Sequence, residues 1–145
     1  MASADSSVPD VETIAQGYLR YSASLASENF DPDSIWDPEH NPDDRAYSIV
    51  NDAVLNGPPE RAWEIVTTLL RLSPDDRLGL HAAGPLEDMV RRWGTELVAR
   101  IENLAAADER FRWALGGIWL TRTGRLQAAI VERIVAASDG SIKLL

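Results

Sequence analysis

The chain contains no cysteine, which excludes disulfides, thiolate metal sites and cysteine nucleophiles. No run of about 18 apolar residues is present, the length a membrane-spanning helix requires. The N-terminus also lacks the basic-then-apolar layout of a secretory signal. No membrane contact is expected, and the expected location is cytoplasmic. A phosphate-cradling glycine loop is missing as well, because Gly116-Gly117 lies in an apolar run without a following Lys or Ser/Thr. No cofactor is expected. Lysine is nearly absent: all but one of the 14 basic residues are arginine, a bias that points to a GC-rich bacterial genome.

Basic residues are scarcest at the front. Residues 1–60 carry 12 acids against Arg20 and Arg45, a net −10, whereas residues 61–145 carry 11 acids and 12 bases, a net +1. The overall charge of −9 is therefore one-sided. Such a field repels nucleic acid directly and draws basic partners. Acids that only keep the chain soluble are the alternative reading. The 145 residues, 45% of them hydrophobic, suffice to bury one core.

Periodicity is helical nearly throughout. Residues 1–9 are small and polar and are expected to form a disordered tail. Asp10 is a natural N-cap for a helix with Val11, Ile14, Tyr18, Leu19, Tyr21 and Leu25 on its apolar face. Pro42-Asp43-Asp44-Arg45, Pro74-Asp75-Asp76-Arg77 and Ala107-Asp108-Glu109-Arg110 then recur at a spacing of 32 to 33 residues. Each reads as a helix start, with acids facing the positive end of the macrodipole. Apolar stripes follow at matching offsets: Ile65-Val66 with Leu69, Leu97-Val98 with Ile101, and Ile130-Val131 with Ile134. The expected fold is all-α with seven or eight helices, as short HEAT-like helical-hairpin repeats (units 42–73, 74–106 and 107–140 of one domain, 10–145) or as a helical bundle. Within these units, Asn56-Gly57 should end one helix and Pro59 begin the next. Gly84-Pro85 and Gly94 should interrupt the second unit, and Thr123-Gly124 the third.

The stretch from Glu28 to Pro42 holds three prolines and five acids around Phe30, Ile35 and Trp36, the composition of an irregular loop. Asp31 and Asp33 resemble the start of a calcium loop, but the required glycine is missing and Ile35 occupies a ligand position. His40 and flexible acids define no metal geometry, so no metal is expected. As a partner-binding surface this region would offer Asp31, Asp33, Asp37, Glu39, Asp43 and Asp44 to a basic protein, with Trp36 as an apolar anchor. In the structural reading, Phe30 and Trp36 fold back onto the core and the acids are merely solvated.

One corner has the residue types for acid–base chemistry: His81, with Glu87 and Asp88 across the Gly84-Pro85 pair. Acids directly after a proline also sit there for helix stability alone, and a histidine near Leu78 more often packs than reacts. No catalytic residue is assigned. The corner stands as an alternative ligand or enzyme site. Of the five tryptophans, Trp113 or Trp119 is expected in the core, with Trp36 and Trp93 the better surface candidates.

At Gly57-Pro58-Pro59-Glu60 leading to Ala62-Trp63, at Gly84-Pro85-Leu86-Glu87-Asp88, and at Arg110-Phe111-Arg112 leading to Gly117-Ile118-Trp119, the chain resembles a bacterial family of small all-helical domains of unknown function. The resemblance implies a helical fold and no activity. Size, acidity and helicity point to an immunity- or inhibitor-type protein that blocks a basic surface on a toxin, nuclease or effector. The alternatives are a nucleic-acid mimic that inhibits a DNA- or RNA-binding machine and a small enzyme at the His81 corner.

Overall fold

The computed structural model describes residues 9–26, 43–121 and 123–145. Expectations about the N-terminal tail and about Asp31, Asp33, Trp36, Asp37 and Glu39 fall outside these residues. The described chain is all-α apart from two short strands. Its helices are α1 (Val11–Leu25), α2 (Asp44–Asn56), α3 (Pro59–Leu72), a long α4, α5 (Glu109–Leu115) and α6 (Ala128–Ala137), with β1 (Trp119–Leu120) before α6 and β2 (Lys143–Leu144) after it.

Several helix ends follow local chemistry. Asp10 caps α1 by accepting from the Thr13 N–H at 2.7 Å, and Asp108 caps α5 by accepting from the Phe111 N–H at 3.1 Å. Pro59 opens α3, where its missing N–H costs nothing.

The expected count of seven or eight helices is corrected to six among the described residues, because α4 is continuous. It runs as α-helix over Asp75–His81, as one π-helical turn over Ala82–Leu86, and again as α-helix over Glu87–Ala107. Pro85 lies inside the π-turn. A proline ring collides with the carbonyl four residues back and donates no hydrogen bond, and widening the turn by one residue lets the helix continue past it. Gly94 does not end a helix either. It lies mid-helix and buried, where an added Cβ would stand 3.1 Å from both Leu126 Cδ atoms and 3.3 Å from Ile134 Cδ1. Glycine here lets the chain after β1 approach the helix axis, at a helix-propensity cost of about 1 kcal/mol.

Paired hairpins therefore exist only in the first unit, α2–α3. The second unit is one helix roughly 50 Å long at 1.5 Å per residue. The third is a short helix, a strand and a helix, since α5 ends at Leu115 instead of reaching Trp119. A HEAT-type array needs two antiparallel helices in every unit, and this chain instead wraps α4. On one side α1 packs against α2 and α3, and α2 and α3 pack against α4. On the other, α5, β1 and α6 lie on α4. One apolar cluster runs through both sides, from Ile14 and Ile65 to Leu86, Met89, Leu97, Ile101, Ile118 and Ile134. Ile65 and Leu97 are fully buried as their stripes imply, whereas Ile130 is half-buried and Val131 takes the inner position.

The C-terminal residues close the fold. β2 pairs in parallel with β1, Trp119 opposite Lys143 and Leu120 opposite Leu144. Parallel strands need a crossover connection, which α6 supplies. Ile142 is buried, and the Leu145 N–H donates to the Leu120 carbonyl at 2.9 Å.

Candidate functional site

His81 is 1% exposed, and both ring nitrogens have partners. Ser73 Oγ is 2.9 Å from Nδ1 and Ser22 Oγ is 3.2 Å from Nε2. Ser73 gives its one hydroxyl hydrogen to the Leu69 carbonyl at 2.7 Å, so it accepts from Nδ1–H. Nε2 is then the acceptor for the Ser22 hydroxyl. Burial, with a smaller contribution from Arg77, holds the imidazole pKa below its ordinary value. The Tyr18 ring meets it edge-on at 5.8 Å, and the Tyr18 phenol is pushed well above its ordinary range, chiefly by burial. His81 is thus a neutral tie between α1, the α3–α4 turn and α4.

The two carboxylates of that corner point elsewhere. Glu87 is buried against β1. It pairs with Arg91 at 2.7 Å and accepts from the Trp119 N–H at 3.4 Å. Because α4 is unbroken at Pro85, Glu87 steadies a strand and not a helix start. Asp88 is exposed overall and lines an open cleft of about 400 Å³ with Leu55, Arg91, Arg92, Leu120 and Arg125. Partial desolvation raises its pKa and Arg91 opposes that. The three residues do not converge on one site.

Of the acidic surface, Asp43 and Asp44 are described. Asp43 meets the Arg20 guanidinium through two bonds of 3.0 and 3.1 Å, which neutralises it locally and ties α2 to α1. Tyr47 stacks on Tyr18 beside it, with centroids 5.2 Å apart. Asp44 lies in the first turn of α2, where its charge suits the helix dipole.

Arginines further along cap helices. The last carbonyls of a helix have no partner within it. At the end of α2, Trp93 Nε1 donates to Val54 O at 2.8 Å and Arg92 Nε to Leu55 O at 3.1 Å. Arg110 donates to the Leu70 and Ser73 carbonyls at the end of α3, and to Asp75. Arg112 donates to Ala105 O at 2.9 Å at the end of α4 and pairs with Asp139. Phe111, between the two arginines, is buried with Trp63 against its edge. Arg110→Leu is expected to lower stability by about 1–3 kcal/mol, the cost of leaving partly buried acceptors unmet. Arg110→Lys should fall in between, since an ammonium lacks the fork that reaches two carbonyls at once. Urea midpoints of the two variants check this. Equal midpoints for Arg110→Leu and the parent chain would refute the capping role.

Trp93, Trp113 and Trp119 depart from the expected pattern. Trp113 is 61% and Trp119 39% exposed, while Trp93 and Trp63 are half-buried against the core. The ring of Trp113 lies over Gly79 of α4 and walls an open cleft with Leu78, Asp75, Asp108, Glu109 and Arg110. Nothing in the sequence marked this cleft, because Trp113 falls on the outward side of the short α5 while its neighbours Phe111, Ala114 and Leu115 are buried.

The structure defines a small all-α domain built on one long helix that contains a π-turn, with Arg92, Trp93, Arg110 and Arg112 bonded to carbonyls near helix ends. The chain belongs to the family of unknown function DUF6869, whose model matches residues 36–142. No curated protein and no solved structure matches it. Among the described residues no helix is long and apolar enough to cross a membrane.

Proposed function

We propose that this protein is a non-catalytic binding domain of a bacterial cytoplasm, which docks on a basic protein surface in the manner of an immunity or inhibitor protein. The observation that carries this is the charge distribution: 12 acids against two bases in residues 1–60 and near balance thereafter. Arg20 is paired with Asp43, which leaves Asp31, Asp33, Asp37, Glu39 and Asp44 with one basic residue, Arg45, nearby in sequence. A field of this sign accelerates encounter with a cationic partner and weakens over about 8 Å at physiological ionic strength. The engagement of His81 with two serines supports the same reading, since it occupies both ring nitrogens of the imidazole at the one corner with the residue types for acid–base chemistry.

The test is a pull-down from host lysate followed by association kinetics with the partner recovered. Reversing Asp31, Asp33, Asp37 and Glu39 to Lys should slow association about ten-fold or more at low salt, with thermal stability unchanged. Association that is insensitive both to this reversal and to added salt defeats the proposal.

A further inference from the structure

Trp113 lies far along the sequence from the acidic residues 28–44. It is the most exposed of the described tryptophans, at 61%, and a Cβ added to Gly79 would reach its ring at 3.8 Å, so the indole lies across bare backbone of α4. The cleft it walls holds about 660 Å³, floored by Leu78 and rimmed by Asp75, Asp108 and Glu109. Three carboxylates face one guanidinium there, and that guanidinium, Arg110, is already held by the Leu70 and Ser73 carbonyls and by Asp75. An exposed indole edged by carboxylates complements a side chain with an apolar stem and a cationic head. The stem packs on Trp113 and Leu78, and the charge meets the ring face and the rim acids. Another copy of this chain is a poor occupant, since each carries a net −9.

We propose that this cleft between α4 and α5 is a docking site for an arginine or lysine side chain presented, next to an apolar residue, by a basic polypeptide partner. Its residues are distinct in sequence from the acidic residues 28–44.

The full chain, labelled at its tryptophan indoles, is titrated with a capped synthetic peptide of repeated Arg-Leu-Gly and with its Glu-Leu-Gly counterpart, and the indole N–H signals are followed by NMR. The Arg peptide should move the Trp113 signal more than the other indole signals, and the Glu peptide should leave it in place. Trp113→Ala should weaken binding of the Arg peptide about ten-fold, as should Glu109→Lys, with amide spectra confirming that both variants are folded. The quadruple reversal of Asp31, Asp33, Asp37 and Glu39 to Lys should leave the Trp113 shift intact. A peptide that moves other indoles but not Trp113, unchanged affinity in both cleft variants, or loss of the Trp113 shift in the quadruple variant overturns the proposal.

Discussion

Gly57→Ala is expected to destabilise the fold by about 2–4 kcal/mol, although the substitution adds a single methyl group at a turn. Gly57 ends α2 with φ +73° and ψ −159°, a region that glycine alone occupies without strain. Residues forced there cost of order 1–3 kcal/mol. The added Cβ would also stand 2.6 Å from Trp93 Cζ2 and 3.0 Å from Cη2. That ring cannot swing aside freely, because its N–H holds the Val54 carbonyl, so relieving the clash uncaps α2. Urea unfolding of Gly57→Ala, Trp93→Ala and the double variant separates the two contributions. The double variant should be more stable than additivity allows by about 1 kcal/mol. A Gly57→Ala midpoint equal to that of the parent chain would sink the account.

His81→Ala should cost about 2–4 kcal/mol, from a cavity in the core and from the lost bonds to Ser22 and Ser73. The histidine also gives the protein a pH dependence of definite sign. Its folded pKa lies below the ordinary 6.5, so near and below that value the unfolded chain binds more protons than the folded one. Stability then rises with pH. The contribution is complete above about 6.5 and is lost as pH falls from there toward the depressed folded value, below which no further loss follows. Its slope is at most about 1.4 kcal/mol per pH unit. Urea midpoints measured between pH 7.5 and 5 in the parent chain and in His81→Gln check this, since glutamine keeps hydrogen-bonding capacity but does not titrate. If the two slopes match, His81 is not the group responsible.

Much of the helical content was legible because its causes are local. Asp10 at the start of α1, Asn56-Gly57 and Pro59 between α2 and α3, and the stripe Ile65, Val66, Leu69 each act within one or two turns of chain. The Pro85 rule failed for an identifiable reason. A proline forbids a regular α-helix, but it does not forbid a π-turn, and packing on both sides of α4 offsets the local penalty. Gly94 misled in the same way: read alone it is a helix stop, whereas in the fold it is the space that Leu126 and Ile134 occupy. The candidate corner failed because sequence proximity across a helix is not convergence. His81 faces α1 and Glu87 faces β1, and only their partners determine what each can do.

The sequence by itself determined the all-α class, most helix boundaries, the apolar stripes and the one-sided charge, since each depends on neighbours a few residues away or on composition. Only the tertiary structure decided that residues 75–107 form one helix instead of a hairpin, that β1 and β2 meet across α6, that Arg110 and Arg112 cap helices behind them, and that Trp113 faces outward over a cleft. The strand pairing joins positions 24 residues apart, and the bonds of Trp93 and Arg110 to helix-end carbonyls join positions 37 to 40 apart. At that separation no local propensity acts, and the burial of a shared core sets the geometry.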